Sequence, residues 1–165
     1  MHNISHQHNH QHCIDDALLR ARELCQRRDL RFTRIRELVL TTVWANHQPV
    51  GAYTILEELA KESIRRPAPP TVYRALDFLL DNGLVHRIAS LNAFVGCSDP
   101  GDAHQGHFLI CRHCQIATEL DAKLINPAIA AAAAQQAFTI DTASVEVVGC
   151  CAQCLKEHQG EAQHD

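Results

Sequence analysis

Two cysteine pairs carry the sharpest chemical signal in the chain, Cys111-x2-Cys114 and Cys151-x2-Cys154. Knuckles of this spacing bring four thiolates onto one tetrahedral zinc ion, at about 2.3 Å each. The 36 residues between the pairs, 115–150, exceed what a compact zinc ribbon holds. They must fold as strand, helix and strand for the pairs to meet. Cys150 offers an alternative to Cys151, although the spacing favours Cys151. Redox chemistry is the other use of such pairs. Buried apolar cysteine fits the single Cys25 better than it fits two pairs. A saturated thiolate site has no open coordination position and serves folding, so it makes a poor sensor.

A sensor needs a second, weaker site. His86, Cys97, His104, His107, His113 and Glu119 are the candidates. One Cys, two His and one Glu form a mixed set, less charged than four thiolates and easier to empty. Each histidine also reads as an ordinary surface residue.

The elements that position these residues follow from periodicity. Ile14, Ala17, Leu18, Ala21, Leu24 and Cys25 repeat at helical spacing over 14–28, with Asp15 and Asp16 in the first turn. Thr33 caps a second helix over 34–46, closed by Pro49. Gly51 and Ala52 open a third through Leu56, Leu59 and Ala60. Pro69 and Pro70 suit the start of a fourth, predicted over 71–81 and closed by Asn82 and Gly83. Two β-rich runs around Ser90 to Asn92 then make a hairpin, and a hairpin directly after such a helix is a wing.

The chain is thus expected to be α+β. An N-terminal winged-helix DNA-binding domain over 14–97 precedes a hinge linker over 98–106 and a small α/β zinc-containing domain over 107–155. In the latter, strands at FLIC and 116–120 precede an Ala-rich helix over 126–137 and a strand-like FTIDTASVEVVGC. Disordered tails are expected over 1–13, which holds five histidines, and over 156–165.

The net charge of −4 is unevenly spread. Residues 14–96 carry 12 Lys and Arg against 10 Asp and Glu, whereas 97–165 carry 3 against 9. The basic excess, centred on Arg20 to Arg36, gives the first half a phosphate-binding footprint. No apolar run reaches the roughly 18 residues of a membrane span. A soluble, cytoplasmic protein with free thiols among its eight cysteines is expected. His-Glu-x-x-His, phosphate-loop and nucleophile-elbow motifs are missing, so no enzymatic activity is expected. For DNA reading, Thr71 and Arg74 share a face of the fourth helix, and arginine pairs bidentately with guanine. Tyr73 either contacts phosphate or packs.

The run PPTVYRALDFLLDNGLVHRI from Pro69 to Ile88, with FLICRHC and CCAQC, closely resembles the ferric-uptake-regulator family, specifically its zinc-uptake-regulator branch. The resemblance spans about Leu18 to Cys154. It implies a homodimeric repressor, with the α/β domain over 107–155 as its dimerisation domain, that binds a palindromic double-stranded DNA operator when zinc-loaded and controls zinc-uptake genes. It also implies two zinc sites per chain: a structural one at Cys111, Cys114, Cys151 and Cys154, and a regulatory one at His86, Cys97, His104 and Glu119. Tyr53 joins Thr71, Tyr73 and Arg74 as a DNA-binding residue by the same resemblance. The iron-sensing branch looks like His-His-Asp-His before its first knuckle, whereas this chain has His104-Gln-Gly-His107 and Cys97, a softer set that favours zinc. His107 stays open as a substitute for His104, and Gln115 stands where the family usually has glycine. Sensing of iron, manganese or peroxide is the runner-up, and zinc storage the rival class.

Overall fold

A computed structural model of the chain describes residues 10–45, 48–62, 67–100 and 106–161. It divides into two compact units, Met1–Ala103 and His104–Asp165.

Among the described residues, four helices and a three-stranded sheet build the first unit. Helix α1 (His10–Arg27) turns Ile14, Ala17, Ala21, Leu24 and Cys25 inward, and α2 (Arg34–Trp44) buries Val39, Leu40, Thr42 and Val43. A short strand β1 (Val50–Gly51) leads into α3 (Ala52–Glu62), which contributes Ile55, Leu56 and Leu59. Helix α4 (Pro69–Asp81) adds Val72, Ala75, Leu76 and Leu79 on one face. The α2, α3 and α4 stripes meet Ala21 of α1 in one apolar core, completed by Val50, Leu84, Val85 and Phe94. Prolines at the first two positions of α4 give up N–H groups that have no helical partner there. The fourth helix therefore begins two residues before the expected Thr71.

Strands β2 (Val85–Ile88) and β3 (Ala93–Gly96) form the hairpin, with His86 opposite Val95 and Val85 opposite Gly96. Asn92 turns the chain at φ 46°, a left-handed conformation asparagine tolerates, and its Oδ1 accepts from Arg87 at 2.9 Å. Strand β1 pairs with β3, giving the order β1-β3-β2. Gly51, expected only to open a helix, is thus also part of the wing sheet.

In the second unit the order is β5-β4-β6. Strand β4 (His107–Cys111) runs antiparallel to β5 (Ala117–Leu120) and parallel to β6 (Val145–Gly149), with Cys111 opposite Gly149. Helix α5 (Ala122–Gln135) connects β5 to β6. A parallel neighbour needs such a crossover.

Three expectations need correction. The tail placed over 1–13 is helical from His10 onward, and Gln11 donates to Asp15 Oδ1 one turn on at 3.0 Å; residues 1–9 lie outside the described residues. Likewise 156–161, expected to be a disordered tail, belong to α6 (Ala152–Glu161). There the turn begun at the second knuckle propagates through contacts such as Gln153 to Glu157 at 3.1 Å, which need no buried face. Finally, α5 starts four residues before Asn126. Asp121 caps it by accepting from Lys123 N–H at 2.9 Å, and Pro127 lies inside the helix.

Candidate metal centres and nucleic-acid interface

The topology of the second unit assembles the cysteine cluster. Because β4 and β6 run parallel with Cys111 beside Gly149, the residues that follow each strand leave the sheet side by side. Arg112 N–H donates to the Gly149 carbonyl at 2.9 Å, which holds the two exits together. The first knuckle then turns so that Gln115 N–H reaches the Cys111 carbonyl at 2.9 Å, with Gln115 at φ 58°. This left-handed corner is where glycine is least strained.

The Sγ atoms of Cys111, Cys114, Cys151 and Cys154 all lie within 4.8 Å of one another. Cys114 and Cys151 are 3.8 Å apart. A tetrahedron with zinc–sulfur bonds of about 2.3 Å has edges of about 3.8 Å, so the donor set fits zinc in kind, number and spacing. Cys151 N–H donates to Cys111 Sγ at 3.4 Å, and Cys154 N–H to Cys151 Sγ at 3.5 Å. The Cys151 N–H first, then that of Cys114, lowers the Cys111 thiol to about 5. Burial pushes Cys114 and Cys154 upward. One sulfur is thus predisposed to be a thiolate, while those two would have to give up protons to hold a metal ion. Cys150 stands outside this quartet, its Sγ directed to the Cys151 carbonyl at 3.6 Å.

In the first unit, His86 on β2 and Cys97 just beyond β3 are buried and face the same side of the hairpin. Their ligand atoms lie within 4.8 Å of each other. Cys97 N–H continues the ladder to the Leu84 carbonyl at 3.1 Å. Gly96 permits this position: a Cβ there would meet Trp44 Cε2 at 2.2 Å, so only glycine lets the indole lie against the strand. Neither Gly96 nor Trp44 stood out in the sequence, because their contact spans 52 positions.

Glu119 is half-buried on β5, opposite Phe108. His104 falls outside the described residues. His107 is fully buried, with both ring nitrogens engaged. Nδ1 accepts from Val145 N–H at 3.1 Å, and Nε2 lies 2.8 Å from Asn126 Oδ1. It braces β4 to β6 and α5, a role that only the three-dimensional neighbours reveal. His113 is exposed in the first knuckle.

On α4 the exposed face carries Thr71, Tyr73 and Arg74. Tyr73 is 44 % exposed and lies away from the core stripe, so it does not pack as a core residue. Tyr53, at the second position of α3, is 79 % exposed. Part of the basic excess is committed within the protein: Arg22 and Arg34 both reach Glu37, at 2.8 and 3.3 Å, and Arg36 lies over the Phe78 ring.

A family model described as the ferric uptake regulator family matches residues 27–148. The chain belongs to that family. It is 33 % identical over 157 residues to the zinc uptake regulation protein of Escherichia coli (strain K12), covering 91 % of this chain and 90 % of that protein. Among solved structures, a zinc uptake regulator complexed with zinc and DNA superposes with a TM-score of 0.82 at 31 % identity, covering 88 % of this chain and 97 % of that one. The crystal structure of holo XcZur gives 0.79 at 38 % identity, covering 86 % and 99 %. Members of this family share the α+β architecture found here, a winged-helix unit followed by a small sheet-and-helix unit. No described helix is long and apolar enough to cross a membrane.

Proposed function

We propose that the protein is a zinc-responsive transcriptional repressor that binds a palindromic DNA operator as a homodimer when zinc-loaded, and that it controls zinc-uptake genes. The observation that carries this reading is the likeness, over nearly the whole chain, to a zinc uptake regulator complexed with zinc and DNA. It is a regulator and not an enzyme, and it acts in the cytoplasm.

Two zinc sites per chain divide the work. Cys111, Cys114, Cys151 and Cys154 hold the structural ion, supported by the 3.8 Å Cys114–Cys151 separation. His86, Cys97, His104 and Glu119 form the regulatory set. The buried His86–Cys97 pair supports it, as does the engagement of both His107 nitrogens, which leaves His104 as the linker ligand. Zinc supplies a divalent centre that accepts four donors. In the sequence these donors lie on both sides of the 98–106 hinge, and a zinc ion that engaged all of them would restrict it. Zinc and operator affinity are then coupled reciprocally, by about 1–3 kcal/mol in typical allosteric proteins.

The DNA-binding domain over 14–97 places α4 in the major groove. Arg74 pairs with guanine, Thr71 contacts a base edge, and Tyr53 and Tyr73 hold the backbone. The dimerisation domain over 107–155 presents Leu109 and Val147, paired in register on one face of the sheet and both exposed. Such an apolar surface is what an isologous partner covers.

The test is fluorescence anisotropy on an AT-rich palindromic duplex at fixed salt, across buffered free zinc, with iron(II) and manganese(II) in parallel. Tight binding only with zinc, weakened by Cys97→Ser while the structural ion stays, is the expected result. Equal binding with every metal or with none would overturn the reading.

A further inference from the structure

Arg20 lies on the exposed side of α1, yet its Nη1 donates to the carbonyl oxygen of Ser98 at 2.6 Å, 78 positions along the chain. Ser98 directly follows Cys97. The backbone on the other side of Cys97 is also held, by its own N–H to the Leu84 carbonyl at 3.1 Å and by Gly96 under the Trp44 indole. Cys97 is therefore pinned on both sides of its Cα, and its thiol is kept within 4.8 Å of the His86 ring. The Arg20 contact adds a tether on the C-terminal side of Cys97, and a ligand less firmly held must be ordered as metal binds. Ordering of that kind weakens binding in proportion to the freedom lost.

We propose that Arg20 is a positioning residue for the regulatory metal site. Its hydrogen bond to the Ser98 carbonyl holds Cys97 in the register that ligates together with His86. The proposal rests on the regulatory site proposed above and adds to it a residue from the first helix. It also separates Arg20 from a simple phosphate contact, because its guanidinium is already directed to the backbone beside a ligand.

Zinc is titrated, without DNA, into full-length protein that already holds its structural ion, in competition with a chromophoric chelator. Wild type is compared with Arg20→Ala, Arg20→Lys and Cys97→Ser. Arg20→Ala weakens the second zinc equivalent by about 10- to 100-fold, the range for residues that orient a ligand, and leaves the first equivalent unchanged. Arg20→Lys, which keeps a donor, recovers part of the loss. With cobalt(II) in the second site, Arg20→Ala reduces the thiolate-to-cobalt charge-transfer band at unchanged metal loading.

Second-site affinity and cobalt spectrum equal to wild type in Arg20→Ala would overturn the proposal. So would unchanged zinc affinity combined with weaker operator binding at saturating zinc, which marks a phosphate contact. Failure of the underlying site looks different: wild type and Cys97→Ser then bind the same number of zinc ions, whatever stands at position 20.

Discussion

Single residues in this chain carry strain and close contact that can be measured one at a time. Gln115 holds a left-handed φ of 58° in the first knuckle, a conformation unfavourable by about 1–2 kcal/mol for a residue with a Cβ. Part of that is recovered by glycine, whose unfolded chain is more entropic. Gln115→Gly is expected to stabilise the zinc-loaded second unit by about 0.5–1 kcal/mol, read as a higher denaturant midpoint at constant slope. Gly96 is the opposite case. Gly96→Ala places a Cβ 2.2 Å from the Trp44 ring, and the repacking is expected to destabilise the first unit by about 1–3 kcal/mol. The same denaturation experiment detects it, and unchanged stability would mean that Trp44 does not rest on the strand. At the DNA face, Arg74→Ala should cut discrimination against a mutated operator by about 1–3 kcal/mol and leave zinc binding intact, as separate anisotropy and chelator-competition titrations would reveal.

Among helices, buried stripes were legible in the sequence, whereas the bounds of helices without one were not. The cores of α2, α3 and α4 follow their apolar spacing, and the wing hairpin turns where Ser90 to Asn92 interrupts two β-rich runs. Helix α5 buries none of its side chains, so periodicity carried no information about where it begins. The Ala-rich run suggested a start at Asn126, whereas the helix is capped by Asp121. The fourfold cysteine cluster was readable because CxxC spacing is itself the geometry. The His86–Cys97 pair became a named set only through family resemblance, and the roles of His107 and Gly96 needed the folded neighbours. His107 anchors α5 through Asn126 and β6 through Val145. His107→Ala leaves the half-buried Val145 N–H without that partner, at about 1–3 kcal/mol, whereas the exposed Asn126 side chain can turn to water. Hydrogen exchange at the Val145 amide should accelerate, and an unchanged rate would rule out the brace.

For the molecule as a whole, the two units differ in what holds them. The first has a continuous apolar core of helices and wing, whereas the buried hydrophobic residues of the second are Phe108, Ile110, Cys111 and Cys154 among those described. A strong chelator that strips the structural ion should therefore unfold the second unit and abolish dimerisation, while amide protection in α2 and α4 persists. Uniform loss across both units would contradict this separation. The contact between Trp44 and Gly96 gives the whole chain a reporter that needs no label. The protein has one tryptophan, and its indole rests on the residue next to Cys97. Its emission should shift as the second zinc equivalent binds and stay constant in Cys97→Ser, so sensor occupancy can be followed by intrinsic fluorescence alone.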